Sequence, residues 1–305
     1  MKKSFKERAV QDWRRHKYKY FIVLPVLVYL ILFCYKPMYG IVIAFKKYRP
    51  SLKIMGSPWV GLDNFVRFFK DPWCFRLIRN TFSISFRMIL FSFPAAVLLA
   101  LLLNEVKTSW YKRTVQTITY MPHFIAMVVV CGLINTYCQS KGLFNDIIAF
   151  FGGERSNLLA QKSLFYPIYV ISGIWQDVGW NSIIYLAALS GIDQEQYEAA
   201  RIDGAGRFQQ MVHVTFPGLL STISMLLVLN MGSILSVGYE KILLLYQPLT
   251  YEVADVISTY VYRKGLVDAD YSFSTAVNLF NSVINIIFLM LSNRVSKKMG
   301  QSGLF

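Results

Sequence analysis

The residue types that build metal centres and active sites are scarce in this chain. It contains only three histidines, which stand far apart and show no metal-ligand spacing. It also lacks the clusters of His, Asp or Glu that a membrane-embedded enzyme would need, and it has no G-x-x-x-x-G-K-S/T phosphate loop. These absences exclude ATP hydrolysis by the chain itself and argue against an enzyme. We therefore expect it to hold no metal and no cofactor.

Cysteine is also scarce, and the four cysteines form no C-x-x-C pair. Two of them fall inside apolar segments, where cysteine behaves as a small hydrophobic residue. Cys74 and Cys138 could both face the outside. A disulfide between them is therefore possible, although spacing alone cannot pair cysteines.

Charged residues make up only 16% of the 305 positions, whereas 55% are apolar. The mean hydropathy of +0.41 is far above that of a soluble domain. The sequence therefore predicts an all-α protein that crosses the membrane several times. Six spans are each long enough for a hydrocarbon core of about 30 Å: residues 20–45 (kinked near Pro37), 79–103, 113–137, 165–189, 213–236 and 271–293.

The net charge of +15 fits a membrane protein, in which Lys and Arg set the topology and contact anionic lipid head groups. Nucleic-acid binding is disfavoured, because no soluble segment carries a basic stripe with interleaved aromatics. Residues 1–19 contain eight basic side chains, which keep this tail in the cytoplasm. The total basic count is nearly balanced between the two sides, so the orientation depends on this cluster. We predict a cytoplasmic tail over 1–19, one membrane domain over 20–295 and a cytoplasmic tail over 296–305.

A polar, helix-prone insert separates the fourth and fifth spans. Asp193 can cap a helix that runs through Arg201. Gly204 and Gly206 then supply a bend, and a second short helix over 207–214 leads to Pro217, where we expect the chain to turn into the next span. Such a pair of helices could lie on the bilayer surface or dock in a groove of a soluble partner. On the bilayer surface, several carboxylates would lie close to the anionic inner leaflet and be repelled by it. Docking in a groove of a soluble partner is therefore favoured.

The insert resembles the EAA loop of ABC-importer permeases: Glu198-Ala199-Ala200-Arg201-Ile202-Asp203-Gly204-Ala205-Gly206, followed by Phe216-Pro217. Three other segments are similar to permeases of complex-carbohydrate importers of the LplB type: Ala100–Glu105, Tyr120–Phe124 and Asp255–Tyr262. The resemblance covers essentially the whole chain. One departure is Phe216, where the family usually has an aliphatic residue before the proline.

The resemblance implies the fold of a type I ABC importer permease in the bacterial plasma membrane. It implies four kinds of partner: a second permease that completes the path, a cytoplasmic ATPase dimer that binds ATP and Mg, an extracytoplasmic solute-binding lipoprotein, and an oligosaccharide. Glu198 would pair with a basic groove residue of the ATPase, and Gly206 would allow close backbone approach. The implied coupling residues are Glu198, Ala199, Ala200, Asp203, Gly204, Gly206 and Pro217.

The fourth span contains the polar and aromatic run from Trp175 to Ser182. Gln176 and Trp180 are four residues apart and share a helix face, as do Asp177 and Asn181. By resemblance to sugar permeases of the maltose type, we expect solute contacts at Gln176, Asp177 and Trp180, with Asn230 and Ser233 on the following span. Asn181, on the same face as Asp177, is a further candidate for the solute path. Hydrogen bonds between helices explain the same residues equally well.

Three alternatives remain open from the residues alone. Arg87 either snorkels to the outer head groups or lines a polar cavity that faces an anionic solute. Segments 238–248 and 251–266 either face the binding protein or form solvated loops. An ion-coupled secondary transporter is the rival to an importer subunit, although it would be expected to show internal repeats; an enzyme is a more distant alternative.

Overall fold

The computed structural model describes residues 5–301 and 303–304, with backbone alone for 5–12 and 14. Within these residues the chain is helical, with an isolated bridge between Lys46 and Trp59 and no sheet. Part of the predicted N-terminal tail and of the C-terminal tail lies outside the described residues. The main helices are α1 Phe5–Tyr29, α2 Asp63–Lys70, α3 Cys74–Glu105, α4 Ser109–Tyr120, α5 Met127–Cys138, α6 Leu143–Phe150, α7 Lys162–Ser190, α8 Gln194–Ile202, α9 Arg207–Met231, α10 Tyr239–Leu245, α11 Ile257–Tyr262 and α12 Tyr271–Lys298.

Four of the predicted spans are helices that are long and apolar enough to cross a membrane. They are Arg15–Phe45, Cys74–Glu105, Arg207–Met231 and Tyr271–Lys298. The fourth predicted span is α7, whose 29 residues extend about 44 Å at 1.5 Å per residue. It is less apolar than the other four because it carries the polar run that begins at Trp175.

The third predicted span is not one continuous helix. Its two halves, Ser109–Phe124 and Met127–Phe150, are bent by 96° relative to each other. Pro122 lies in a tight 3-10 turn, and Ile125 and Ala126 then adopt extended backbone. Proline lacks an N–H and favours such an interruption. The predicted helix over 113–137 is therefore wrong at its centre.

Helices α3 and α7 lie side by side and run in the same direction. Near the middle of α3 and the beginning of α7, the Arg87 guanidinium lies 4.3 Å from the centre of the Tyr166 ring. Towards their ends, Phe93 meets Tyr185 edge-on at 6.0 Å between ring centres. The chain between two parallel helices must cross back, and the bent pair α4 and α5 does so.

The segment after α9 is part of the core. The fifth predicted span ends at Met231, five residues earlier than predicted, and α10 then packs against α5. Ile242 and Leu245 of α10 are buried in a cluster with Ile84 and Tyr169. The solvated-loop interpretation of 238–248 is therefore wrong.

The cysteines form no disulfide. Cys74 and Cys138 are free and buried in two different apolar clusters. Cys74 packs with Phe68 and Tyr260 beside α2 and α12, whereas Cys138 packs with residues of α7 and α10. Burial among apolar side chains, rather than pairing, explains both positions.

Gly179 lets α7 approach the end of α4. A Cβ atom at this position would lie 2.1 Å from the carbonyl oxygen of Thr119 and 2.9 Å from the Tyr120 ring. Backbone cannot move aside as a flexible side chain can, so α4 and α7 depend on this glycine for their contact.

We predict that Gly179→Ala destabilises the protein by about 2 kcal/mol or more, because it forces two packed helices apart. The matched control is Gly132→Ala in α5, where a Cβ atom meets nothing within 4 Å and should be tolerated. Thermal unfolding of both purified variants in detergent measures the difference. Equal unfolding temperatures would contradict the packing argument.

Candidate coupling loop and solute cavity

The polar insert, residues 193–217, begins with a capped helix. The Asp193 carboxylate accepts a hydrogen bond from the Glu195 backbone N–H at 3.0 Å, and α8 runs from there to Ile202. This cap provides a hydrogen-bond acceptor for one of the backbone N–H groups at the helix start, which have no partner within the helix. The prediction that Asp193 caps this helix is confirmed.

The bend after α8 depends on one glycine. Gly204 has φ of +80°, a conformation that side chains disfavour, and Ala205 N–H donates to Ala200 O at 2.8 Å. Gly206 has φ of −68°, and its N–H donates to Gln209 Oε1 at 2.8 Å. Since any residue adopts this φ, the expectation that Gly206 also supplies the bend is wrong.

The chain does not turn at Pro217. Helix α9 continues from Arg207 to Met231, with a wider π-helical turn over Met211–Thr215 just before the proline. A π-turn accommodates a proline because it already interrupts the regular hydrogen-bond ladder. Tyr197 donates to Thr215 Oγ1 at 3.1 Å and ties α8 to this turn.

The insert exposes carboxylates as well as large apolar side chains. Glu198, Ala199 and Asp203 are exposed, while Ala200 is partly buried. Beside them Ile202 is 87% exposed and Phe208 is 72% exposed. Apolar side chains rimmed by polar groups mark an interaction surface. The insert therefore presents a surface that its own chain leaves uncovered.

A cavity of about 210 Å³ lies between α3, α7 and α9. Three of the predicted solute residues line it together: Asp177 and Asn181 of α7, and Asn230 of α9. Ser92 of α3 adds a hydroxyl, and the remaining lining is largely apolar. A few polar groups within apolar walls are the usual composition of a small-molecule site.

A histidine that the sequence did not single out for this site contacts one of the lining residues. His123 Nδ1 lies 2.9 Å from Asp177 Oδ1, and its ring stacks on Trp180 at 4.4 Å between ring centres. His123 stands at the break between α4 and α5. Its place beside Pro122 was the available sequence signal.

Gln176 faces the break rather than the cavity. Its side chain is buried, and Nε2 donates to Ile125 O in a long hydrogen bond of 3.4 Å. Irregular backbone at membrane depth needs such partners, because no water is present to replace them. For Gln176, the interpretation as a contact between helices fits the geometry.

Two further predicted residues lie outside the cavity lining. Ser233 donates to Asn230 O at 3.1 Å, just beyond the end of α9. Arg87 is half-buried between α3 and α7, donates to Ser83 O at 3.0 Å and stacks over Tyr166. The cavity lining thus brings together Asp177, Asn181 and Asn230. The other predicted solute residues are outside this lining: Gln176, Trp180, Ser233 and Arg87.

The segment after α10 is fixed to the start of α3 by polar contacts. Asn80 Nδ2 donates to the carbonyl oxygens of Glu252 and Asp255, both at 2.9 Å. The buried carboxylate of Asp255 accepts two hydrogen bonds from Arg263, at 2.9 and 2.6 Å, and raises the pKa of that guanidinium. Bidentate pairs of this kind fix geometry as well as charge. Segment 251–263 is therefore held in place at the end of the molecule opposite the insert.

A family model described as the binding-protein-dependent transport system inner membrane component matches residues 92–301. The polygalacturonan/rhamnogalacturonan transport system permease protein YteP of Bacillus subtilis is 44% identical over 305 residues, which are 100% of this chain and 95% of that protein. Protein LplB of the same organism is 45% identical over 293 residues, or 96% and 92% of the two chains.

Two solved structures are similar to the whole chain. One is a bacterial ABC transporter involved in the import of the acidic polysaccharide alginate, with a TM-score of 0.88, 43% identity and coverage of 95% of this chain and 99% of that chain. The other is a bacterial alginate ABC transporter in complex with an alginate pentasaccharide-bound periplasmic protein. Its TM-score is 0.88 at 42% identity, and the match covers 96% and 99% of the two chains.

The bend of the insert yields a test that needs no transport assay. We predict that Gly204→Ala loosens the end of α8 by about 1 kcal/mol, because a side chain is strained at this φ. Gly206→Ala is the matched control, since its φ is ordinary and a Cβ atom there has room. Hydrogen exchange of the amides of residues 203–205 measures the effect. Equal protection in the two variants would refute the assignment of the bend to Gly204.

Proposed function

This chain belongs to the family of binding-protein-dependent transport system inner membrane components, the permease subunits of ABC importers, and from that premise we propose that it serves in the import of an acidic oligosaccharide. As a family member the chain is a transport component and not an enzyme. The rival interpretation as an ion-coupled secondary transporter is thereby set aside.

The observation that carries the proposal is the exposed surface of the polar insert. The chain has no phosphate loop, so its energy must come from a separate ATPase dimer that holds ATP and Mg. Ile202 and Phe208 are the apolar anchors that such a contact needs, and Glu198 lies within the same surface for pairing with a basic groove residue. Closure of the ATPase would then move the helices attached to the insert.

The proposed orientation has the insert and both chain termini in the cytoplasm. Leu189 before the insert and Leu219 after it share a buried cluster with Ala100, close to the end of α3. The end of α3, the end of α7 and the start of α9 therefore lie at one end of the molecule. The basic cluster of residues 1–19 supports the assignment of that end to the inside.

A second permease subunit is supported by the uncovered first span. The most apolar stretch of Arg15–Phe45 has none of its residues buried within the described chain. The solute cavity is also incompletely enclosed by the described chain. We propose that a second permease packs against these surfaces, completes the path and leaves the remaining apolar surface to lipid.

The proposed solute class rests on the names of similar proteins. YteP is named as a polygalacturonan/rhamnogalacturonan transport system permease protein, and the similar structures come from an alginate importer. We propose an acidic oligosaccharide, delivered by an extracytoplasmic binding lipoprotein that docks near segment 251–263. In the cavity, Asp177, Asn181 and Asn230 would bond sugar hydroxyls. Trp180 is outside the lining but next to Asn181 in sequence and 44% exposed, and its ring would pack on C–H groups of a longer sugar chain.

Docking is tested by co-purification of the ATPase with the full importer. We predict that Glu198→Lys and Gly206→Trp each reduce the bound ATPase at least about tenfold, because one reverses a charge at the contact and the other blocks close approach. Gly206 has free space around it within this chain, so the large side chain should leave the fold intact.

The matched control for the charge reversal is Glu154→Lys, at an exposed position remote from the insert. It should bind the ATPase as the unaltered chain does. Full ATPase binding and uptake by both Glu198→Lys and Gly206→Trp would refute the docking assignment.

The cavity is tested by uptake of an oligogalacturonate into proteoliposomes that contain the assembled importer. We predict that Asp177→Asn and Asn230→Ala each reduce uptake about tenfold, which corresponds to the loss of one or two hydrogen bonds to the solute. Ser233→Ala is the control, because Ser233 lies outside the cavity lining. Loss of uptake in Ser233→Ala, or none in the other two, would contradict the assigned site.

A further inference from the structure

Lys241 is a buried cation that the cavity described above does not include. It lies on α10 and is only 6% exposed. Its Nζ donates to Tyr169 O at 3.1 Å and lies 4.7 Å from the centre of the same residue's ring. No described carboxylate lies within ion-pair distance of it.

This burial is expensive for a side chain that serves only to pack. An ammonium group has three donors, and the Tyr169 carbonyl uses one of them. A buried charge without an opposite charge costs several kcal/mol, and an apolar residue of the same length would pack as well or better. The position of the charge therefore needs an explanation other than stability.

The ammonium lies beside the solute cavity. Gly173 of α7 leaves open the space that Lys241 enters. A Cβ atom on that glycine would lie 3.3 Å from Lys241 Nζ and 2.9 Å from the Met88 side chain. Met88 itself lines the cavity, and Asp177 follows Gly173 by one helical turn. Met88 thus neighbours the cation and also lines the cavity.

We propose that Lys241 gives this cavity the positive potential that selects an anionic, carboxylate-bearing oligosaccharide. The inference rests on the proposed function and names the residue that sets the charge preference of the site. The Asp177 carboxylate is hydrogen-bonded to His123, whereas the ammonium is bonded to the Tyr169 carbonyl. The ammonium therefore has no directly paired carboxylate among the described residues, and low-dielectric surroundings strengthen its field.

The rival explanation is that Lys241 only holds α10 against α7. The two explanations differ in the effect expected when the positive charge of Lys241 is removed. Lys241→Met keeps the length and the apolar stem but removes the charge, whereas Lys241→Arg keeps the charge. A holding role predicts the same effect on every solute, and an electrostatic role predicts an effect on anions alone.

The first test measures the potential without any solute or partner. Ser92→Cys is introduced on the cavity wall of the full chain, in a Cys34→Ser background that removes the one exposed cysteine. Membranes containing this chain are treated with two methanethiosulfonates of similar size, one anionic (sulfonatoethyl) and one cationic (trimethylammonium-ethyl). Asn181→Cys, whose side chain is exposed, serves as a second reporter.

We predict that Lys241→Met lowers the ratio of the anionic to the cationic reaction rate about tenfold, since removal of a nearby unit charge in a protein interior changes the local electrostatic energy by about that much. Lys241→Arg should keep the ratio. Lys141→Met, which removes an exposed lysine remote from the cavity, is the control and should also keep it. An unchanged ratio in Lys241→Met would overturn the proposal. This outcome does not depend on whether the protein imports a sugar.

The second test measures uptake by the assembled importer of an oligogalacturonate and of its neutral methyl ester, with each solute supplied at saturation of the binding protein. Lys241→Met should lower uptake of the acid about tenfold and leave uptake of the ester unchanged. An equal loss for both solutes would assign Lys241 to the holding role and overturn the proposal. Failure of the unaltered chain to take up either solute would count against the proposed function, which the first test does not require.

Discussion

The contact between α7 and the end of α4 is the constraint on which the rest of the molecule depends. It exists because Gly179 has no side chain where a Cβ atom would lie 2.1 Å from a backbone oxygen. With the two helices this close, the chain can break at Pro122 and still find partners for its exposed backbone. Gln176 bonds the carbonyl of Ile125, and His123 bonds Asp177. A break in a membrane helix is tolerated only where protein or a polar cavity replaces water. The same contact therefore shapes the wall of the cavity.

Much of this fold could be predicted from the sequence, and the failures have a common cause. Length and apolar content identify a span wherever the helix is regular. They do not reveal what a proline does inside it. At Pro217 the helix continues because a π-turn precedes it, whereas at Pro122 the chain departs into extended backbone. The two outcomes depend on neighbouring helices, such as the stacking of His123 on Trp180. No local pattern encodes that contact.

The candidate site was predictable to the extent that helical periodicity applies. Asp177 and Asn181 share a helix face, and both line the cavity. Gln176 is their neighbour in sequence but lies about 100° around the helix, and so it faces the break. Ser233 lies beyond the last residue of α9, where helical spacing carries no information. Lys241 could not be found because it belongs to a segment that resembles an external loop. Its burial comes from long-range packing.

The walls of the cavity are continuous with the two arms of the insert. Helix α7 carries Asp177 and ends three residues before Asp193, and α9 begins in the insert and carries Asn230. The two arms are held together where Gly218 packs on Ile192; a Cβ atom at that glycine would lie 2.7 Å from the Ile192 side chain. Packed helices move as rigid bodies rather than bending continuously. Under the proposed function, a displacement of the insert would therefore move α7 and α9 together, and the third wall, on α3, would provide the surface against which the cavity changes its shape.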